Sequence, residues 1–353
     1  MALEYLALDL LLLDERIRRL ERRIERRLLR DAQNPFFLPR EEFINCFRLT
    51  PDLVIHVTNT LRADLQNRRI TGLAIEIKLN ISQTTTSHCI HAVTAAINQR
   101  LLRRWIKFPT TVEDRQQARQ KFSTAAQPFE GAIGAMDCTL VHIIAPHEHE
   151  EAFINHHGNH ALNVQAIVDP DMKILNINPR YPGARNDAYI WSVSPIRQVM
   201  EFHFNRGESK TWLIGDAGYP LEPWLMTPLP GFPEDTRQYQ YTKQLCKARN
   251  VVERFFGVFK SVWRCLSYQR VLMYKPAFAA QIVNACAILH NIRIEHRLQE
   301  FQVPIDVNHP ENVNAGHVDI VDEYIAQRGP NAVAQRIQRQ IMRQISKLSR
   351  CRS

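Results

Sequence analysis

A lone carboxylate inside an apolar strand places the strongest constraint on how this chain can fold. The segment from Gly131 to His142 reads GAIGAMDCTLVH, and Asp137 is its only acidic side chain. An ionised carboxylate in a buried strand is costly unless a cation neutralises it. We therefore expect Asp137 to face a cation, either a basic side chain or a metal ion. Its neighbour Cys138 should point to the opposite face of the strand, into the core.

Two later acidic residues stand in equally apolar segments. Asp216 ends a strand at a glycine-rich turn in TWLIGDAGYP, and Glu253 lies on a helix in RNVVERFFGVFK. Three oxygen donors without a matching set of His or Cys favour a hard cation such as Mg²⁺ or Mn²⁺. Two such ions roughly 4 Å apart would activate the attacking oxygen in phosphodiester cleavage and stabilise the leaving oxygen. The sequence thus predicts that Asp137, Asp216 and Glu253 are catalytic metal ligands for phosphoryl transfer on nucleic acid.

Simpler roles stay open for two of these residues. Asp216 could terminate its strand and favour the turn at Gly218. Glu253 lies between Arg249 and Arg254 and could form an ion pair along its helix.

The order of the elements predicts an α/β fold. Strand patterns cover residues 131–144, 159–168 and 172–178, a helix follows from Asn186 to Phe204, and a further strand covers residues 211–214. This is the order of a ribonuclease H-like mixed sheet flanked by helices, here with an N-terminal all-helical domain. In the apolar helix predicted from Pro276 to Arg293, His290 and Asn291 are expected to make structural hydrogen bonds.

Three regions are predicted along the chain. Residues 1–121 form a helical region with a partial helix-turn-helix that binds DNA, residues 122–300 form the ribonuclease H-like nuclease domain, and residues 301–353 form an irregular segment with a basic helix. That last helix could bind nucleic acid or a partner, or could simply be solvated. An earlier amphipathic helix, residues 6–30, has an arginine-rich face; it could pack on the domain, self-associate, or serve nuclear targeting or DNA contact.

The composition narrows the class of protein. A net charge of +9 predicts an anionic partner, with nucleic acid the first choice. The seven cysteines form no CxxC pair, which argues against a disulfide framework or a structural zinc site and favours a reducing, intracellular setting. The apolar N-terminal stretch contains acidic residues and lacks a cleavage site, so it is a poor signal peptide. We expect no membrane association.

Several polar and basic residues are candidates for DNA contact. A helix predicted from about Ser82 begins with a short, uncharged polar face that is typical of a base-reading helix, and equally of a solvated one. Cations near the end of this helix and around the third acidic residue could bind phosphates, although a solvated face explains such charges as well. The predicted DNA-binding residues are Gln83, Thr84, Thr85, Arg103, Arg104, Lys243, Lys247, Arg249 and Lys260.

A set of motifs in a fixed order carries a family resemblance. The segments GAMDC, HALNVQ, YPGARNDAYIW, WLIGDAGYP, LMTPL, RNVVERFFGVFK and ILHNI resemble the DDE domain of the PIF/Harbinger transposase superfamily over roughly residues 30–297. The resemblance implies a DNA endonuclease or transposase that uses Mg²⁺ or Mn²⁺, with Asp137, Asp216 and Glu253 as the acidic triad. It also implies Asp187 as a fourth candidate metal ligand; N-capping of its own helix is the alternative role and the favoured one.

The resemblance further implies partners and a location. DNA, a Myb-like DNA-binding protein and a second copy of the chain are the expected partners, in the nucleus and also in the cytoplasm. The chain departs from the family at Leu140, Cys138 and Ala161, where members often carry His, Gly and Ser. It is also short between Gly72 and Leu79, so the helix-turn-helix is incomplete. A domesticated DNA-binding or scaffold protein that keeps the fold without cleavage is the alternative function.

Overall fold

The computed structural model describes residues 13–21, 24, 34–66, 83–298 and 331–350. Residues 13–21 are helical. The helices with defined bounds are α1 (Arg40–Phe47), α2 (Pro51–Gln66), α3 (Gln83–Trp105), α4 (Val112–Ser123), α5 (Glu150–Phe153), α6 (Asp187–Ser192), α7 (Pro195–Asn205), α8 (Arg237–Val262), α9 (Pro276–Glu295) and α10 (Ala332–Arg350). The strands are β1 (Ala132–His142), β2 (Ala161–Val168), β3 (Ile174–Pro182), β4 (Trp212–Ile214) and β5 (Leu225–Met226).

The chain divides into two compact units, residues 1–100 and 101–353. The described part of the first unit is helical, with a core that includes Phe43, Leu61 and Ile97. Arg100 joins α3 to α2 through two hydrogen bonds from its guanidinium to Asp64, of 2.6 and 2.8 Å. This confirms the predicted all-helical N-terminal region. The domain boundary proposed near residue 121 stays a prediction.

The second unit is built on one mixed sheet with the strand order β3-β2-β1-β4-β5. The first three strands are antiparallel neighbours, and β4 and β5 run parallel to β1. The predicted ribonuclease H-like mixed sheet is therefore confirmed. β1 lies at its centre, and Ala135 pairs with Ile214 in the parallel register. Asp137 and Asp216 each lie two residues beyond that pair, so parallel pairing carries both acids to the same end of the sheet.

Helices cover both faces of the sheet. On one face α8 and α9 bury Val252, Phe255 and Val283 against Ala135 and Val164. On the other face α6 and α7 bury a second cluster that contains Trp191, Met200, Met136 and Leu213. Successive side chains of β1 contact these two layers in turn, because successive side chains of a strand point to opposite faces. Asp137 therefore faces α8, and Cys138 faces α6, as the alternation predicts.

Three element boundaries differ from the sequence prediction. The single helix expected from Asn186 to Phe204 is two helices, because Pro195 lacks an N–H and begins a new first turn, capped by the Ser194 hydroxyl. β3 continues past Asn178 to Pro182, with an irregularity in its pairing around Pro179 that an edge strand tolerates. The two-residue strand β5 was not predicted, since a pattern of alternation needs more residues.

The C-terminal part of the unit closes the core. α9 is long and apolar enough to cross a membrane by composition, but two thirds of that stretch is buried inside the protein. Within it, the Asn291 amide accepts from Ile174 N and donates to the carbonyls of Ile174 and Trp105, each at 2.8 Å. His290 Nε2 donates to Met172 O at 2.9 Å. The predicted structural roles of His290 and Asn291 are confirmed.

The basic helix at the C-terminus packs on α8 through its apolar face, including Ile337 and Ile341. The Gln338 amide donates to Thr227 O at 3.1 Å and to Tyr241 Oη at 3.3 Å. Because Tyr241 lies on α8, α10 is anchored to the helix that carries Glu253.

Candidate active site

Asp137 has a basic side chain as its partner. Its Oδ2 accepts a hydrogen bond of 3.0 Å from Arg249 Nη1, and its Oδ1 accepts one of 2.8 Å from the Cys138 backbone N–H. Only 18% of the Asp137 side chain is exposed, and only 12% of the Arg249 side chain. The cation expected beside this buried carboxylate is therefore present, and α8 supplies it across the face of the sheet.

Glu253 shares that guanidinium. Arg249 Nη2 donates to Glu253 Oε1, one helical turn further along α8, and 47% of the glutamate side chain is exposed. The ion pair left open by the sequence is thus formed, because residues four apart on a helix lie on one face. Arg249 consequently bridges two of the three predicted catalytic acids, Asp137 and Glu253.

Asp216 forms a hydrogen bond within its turn and also belongs to the acidic cluster. Its Oδ1 accepts a hydrogen bond of 3.1 Å from Gly218 N–H, which is the turn interaction left open by the sequence. A Cβ on Gly218 would lie 3.3 Å from that oxygen, so glycine keeps the turn close to the carboxylate. Its charge also acts on Asp137, Asp187 and Arg249.

Asp187 lies on the other face of β1 from Arg249. Its Oδ1 accepts a hydrogen bond of 3.1 Å from the Asn163 amide. The capping role proposed as its alternative is wrong, because Asn186 is the N-cap: its side chain accepts from Tyr189 N–H at 2.8 Å. Asp187 occupies the first helical position instead, where the positive end of the helix favours an acid.

Burial and mutual repulsion shift the pKa values of the three aspartates of this cluster. Burial raises the pKa of Asp137 to about 8; Arg249 opposes this shift, and Asp216 and Asp187 add to it. Burial and the charge of Asp216 raise the pKa of Asp187 to about 6. Burial also raises the pKa of Asp216, against the opposing charge of Arg249. One guanidinium is therefore too little positive charge for this set of four acids.

The residues fit a divalent cation by chemistry and by charge. Carboxylate oxygens are the ligands that Mg²⁺ and Mn²⁺ prefer. Beside Asp187, the buried Asn163 Oδ1 has no hydrogen-bond partner within the described part of the chain and is a further hard donor. As the side chains stand, however, no three His, Cys, Asp or Glu residues in the described ranges are grouped closely enough to hold an ion. Arg249 lies where two of the acids would have to meet.

The predicted DNA-binding residues fall into three structural settings. Thr84, Thr85, Arg103 and Arg104 are exposed on α3, and the side chain of Gln83 lies outside the description. Lys243 and Lys247 are exposed on α8, while Lys260 is half-buried. Arg249 is held inside the acidic cluster. The DNA contacts and the metal ligands all stay predictions.

Three residues of this site were missed in the sequence: Cys138, Tyr219 and Asn163. Cys138 was expected in the core, but it is half-buried, and its Sγ lies 3.3 Å from Tyr219 Oη next to Asp187. Asn163, which pairs with Leu140 across β1 and β2, supports Asp187. The motif HALNVQ contains Asn163, and the motif GDAGYP contains Tyr219. The register of β1 against β2 would have placed Asn163 on the same face as Cys138.

Comparison with known proteins identifies the family. The family of DDE superfamily endonucleases matches residues 136–291, which contain all four acids. "Putative nuclease HARBI1" of Bos taurus is 30% identical over 247 residues, 69% of each chain, and that of Homo sapiens is 29% identical over 248 residues, again 69% of each. "Protein ALP1-like" of Arabidopsis thaliana is 24% identical over 258 residues, 69% of this chain and 62% of that one. No solved structure matches the chain significantly. The chain therefore belongs to the harbinger-derived family of DDE superfamily endonucleases.

Proposed function

We propose that this protein is a divalent-metal-dependent nuclease that cleaves phosphodiester bonds in DNA by a two-metal mechanism. The observation that carries the proposal is the convergence of four acids from distant parts of the chain at one end of the sheet. Structural stability does not call for such a cluster, because burial and mutual repulsion make it costly.

The roles of the residues follow from their positions. Asp137 and Asp216 lie at the ends of neighbouring parallel strands, and together with Asp187 and Glu253 they would supply the oxygen ligands of two cations. Bound Mg²⁺ or Mn²⁺ would lower the pKa of the attacking water and neutralise charge on the leaving oxygen. Cys138 and Tyr219 have pKa values raised by burial, so both stay protonated beside Asp187 and leave the negative charge to the acids.

The test is nicking of supercoiled plasmid DNA in Mg²⁺ or Mn²⁺. Asp137→Asn should lower the rate at least about 100-fold, the scale of losing one group that stabilises transition-state charge. Glu148→Gln removes an exposed acid outside the cluster and should leave the rate unchanged. Equal nicking by wild type and Asp137→Asn would refute the assignment.

The alternative is a DNA-binding or scaffold protein that no longer cleaves. The observation that favours it is Arg249, which forms ion pairs with both Asp137 and Glu253 at the position where a metal ion would bind them. Folded protein that binds DNA without nicking it in either metal would establish this alternative.

We propose that the DNA backbone binds to a basic surface on α8, the helix that also carries Glu253. Lys243 and Lys247 are exposed on α8, and the neighbouring α10 exposes Arg339 and Arg343 and contains no acidic residue. Double-stranded DNA should bind with an affinity that falls steeply with salt. Replacing Lys243 and Lys247 by Gln should lower the magnitude of the slope of log K against log[salt] by about 2. An unchanged slope would exclude both lysines.

We also propose the expected protein partners and location. A Myb-like DNA-binding protein would supply sequence recognition in the nucleus, and a pull-down with such a protein tests this. A second copy of the chain has an apolar helical surface available, formed by the exposed Leu13, Ile17 and Leu20. Light scattering of the wild type and of the variants Leu13→Glu and Leu20→Glu tests the dimer.

A further inference from the structure

Arg249 lies at the centre of the acidic cluster, and one of its buried hydrogen-bond donors has no partner among the described residues. Two of its nitrogens are paired, Nη1 with Asp137 and Nη2 with Glu253. Its Nε is buried and has no hydrogen-bond partner within the described part of the chain. A buried donor without an acceptor costs free energy, so the contacts seen do not fully compensate the burial of this guanidinium.

The charges around Arg249 do not balance. Asp137, Asp187, Asp216 and Glu253 would together carry four negative charges when ionised, and Arg249 supplies one positive charge. The guanidinium bridges Asp137 and Glu253, and it therefore occupies the position between them that a cation bound to both would need. A cation bound jointly by Asp137 and Glu253 must therefore displace Arg249.

The position of Arg249 allows that displacement without a change of fold. It lies on α8 one turn before Glu253, and the helix is fixed by the buried Leu245, Ala248 and Val252. The guanidinium is carried on a long side chain, so a change of rotamer moves it away while the helix stays in place.

Resting on the proposed function, we propose that Arg249 is a resident counter-ion. It occupies the cation site in the metal-free protein, gives way to the divalent ion, and is then free to pair with a DNA phosphate. The apparent affinity of the wild type for the metal is lowered, because Arg249 fills the site in a fraction of the molecules. The alternative is a purely structural role, in which Arg249 connects α8 to β1 whether or not a metal ion is bound.

The experiment measures Mn²⁺ affinity by calorimetry on the full chain in the absence of DNA, together with the Mn²⁺-induced shift in Tm. Arg249→Gln should bind Mn²⁺ at least about 10-fold more tightly than wild type. Its Tm without metal should be lower and its Mn²⁺-induced rise larger. Arg254→Gln is the matched control: it removes the same charge from a nearby position on α8, where the side chain is exposed, and should change affinity by less than about 3-fold.

The outcomes separate this inference from the proposed function. If wild type binds Mn²⁺ and Arg249→Gln binds it no more tightly than Arg254→Gln does, the counter-ion role is refuted and the metal enzyme stands. If neither wild type nor any variant binds Mn²⁺, both proposals fail. Should Arg249→Gln not fold, Arg249→Lys replaces it: one ammonium cannot bridge both acids as the fork does, so its affinity should also exceed that of wild type.

Discussion

Neutralising Asp137 should flatten the pH dependence of stability in the metal-free protein. Burial raises the pKa of this carboxyl from 3.8 to about 8, with Arg249 opposing the shift and Asp216 and Asp187 adding to it. Between these two pH values the folded protein holds a proton that the unfolded chain has released. Raising the pH through this window therefore destabilises the folded state, the reverse of the behaviour of a carboxylate stabilised by a salt bridge.

The size of the effect follows from one proton. A difference of one bound proton changes the free energy of unfolding by about 1.4 kcal/mol per pH unit. From pH 5 to pH 7 the wild type should lose about 3 kcal/mol relative to Asp137→Asn, since asparagine does not titrate. Groups that do not interact with Asp137, including the buried His290, contribute equally to both proteins and cancel in the difference.

The assay is urea unfolding of both proteins in EDTA at pH 5, 6 and 7, repeated in Mn²⁺ at pH 7. The cation should stabilise the wild type more than Asp137→Asn, because in the wild type it also replaces the proton as the compensating charge on Asp137. A wild-type-minus-variant difference that stays constant within about 0.5 kcal/mol across this range would refute the reasoning. It would mean that Arg249 alone keeps Asp137 ionised.

Three further predictions concern the scaffold of the site. Asn291→Leu leaves two buried carbonyls and one buried N–H unpaired and should cost about 3 to 5 kcal/mol in urea unfolding, whereas Asn284→Leu, whose Oδ1 has no partner in the described chain, should cost under about 1 kcal/mol. Burial lowers the pKa of His290 from 6.5 to about 4, so the wild type should lose stability relative to His290→Phe as the pH drops from 6.5 towards 4; a difference that stays constant over this range would contradict the assignment. Ile341→Ala should cost about 2 to 4 kcal/mol, and exposed Arg339→Ala about 0.5 kcal/mol or less; equal effects would contradict the packing of α10 on α8.

The sequence predicted the parts of the fold that depend on local pattern. The apolar strand around Asp137 and the order of strands and helices were enough for the mixed sheet. The break at Pro195 shows the limit of that reasoning, because the apolar residues continue through the break and only the Ser-Pro pair marks it. β5 could not be predicted from local pattern, since two residues carry no periodicity and its position depends on pairing with β4.

The site was predictable only in part, for a different reason. The spacing of Arg249 and Glu253 indicated their ion pair, because four residues span one helical turn. The contact of Arg249 with Asp137 joins residues more than a hundred positions apart, and only the packing of α8 across β1 creates it. Asn163 and Cys138 depend similarly on the register between β1 and β2.

The two faces of β1 give the four acids different surroundings, and this bears on how a cation would enter. Asp137 faces α8, where Arg249 compensates part of its charge, while Asp187 faces the opposite layer, where a neutral amide, thiol and phenol surround it. Asp216 lies at the end of the neighbouring parallel strand and acts on both. A cation bound by Asp187 and Asp216 displaces no basic side chain among the described residues, whereas one bound by Asp137 and Glu253 must displace Arg249. Two ions should therefore bind with unequal affinity, the tighter one on the Asp187 side, so Asp187→Asn should remove the tighter Mn²⁺ step in calorimetry while Arg249→Gln strengthens the weaker one. A single step, or loss of the weaker step in Asp187→Asn, would contradict this order.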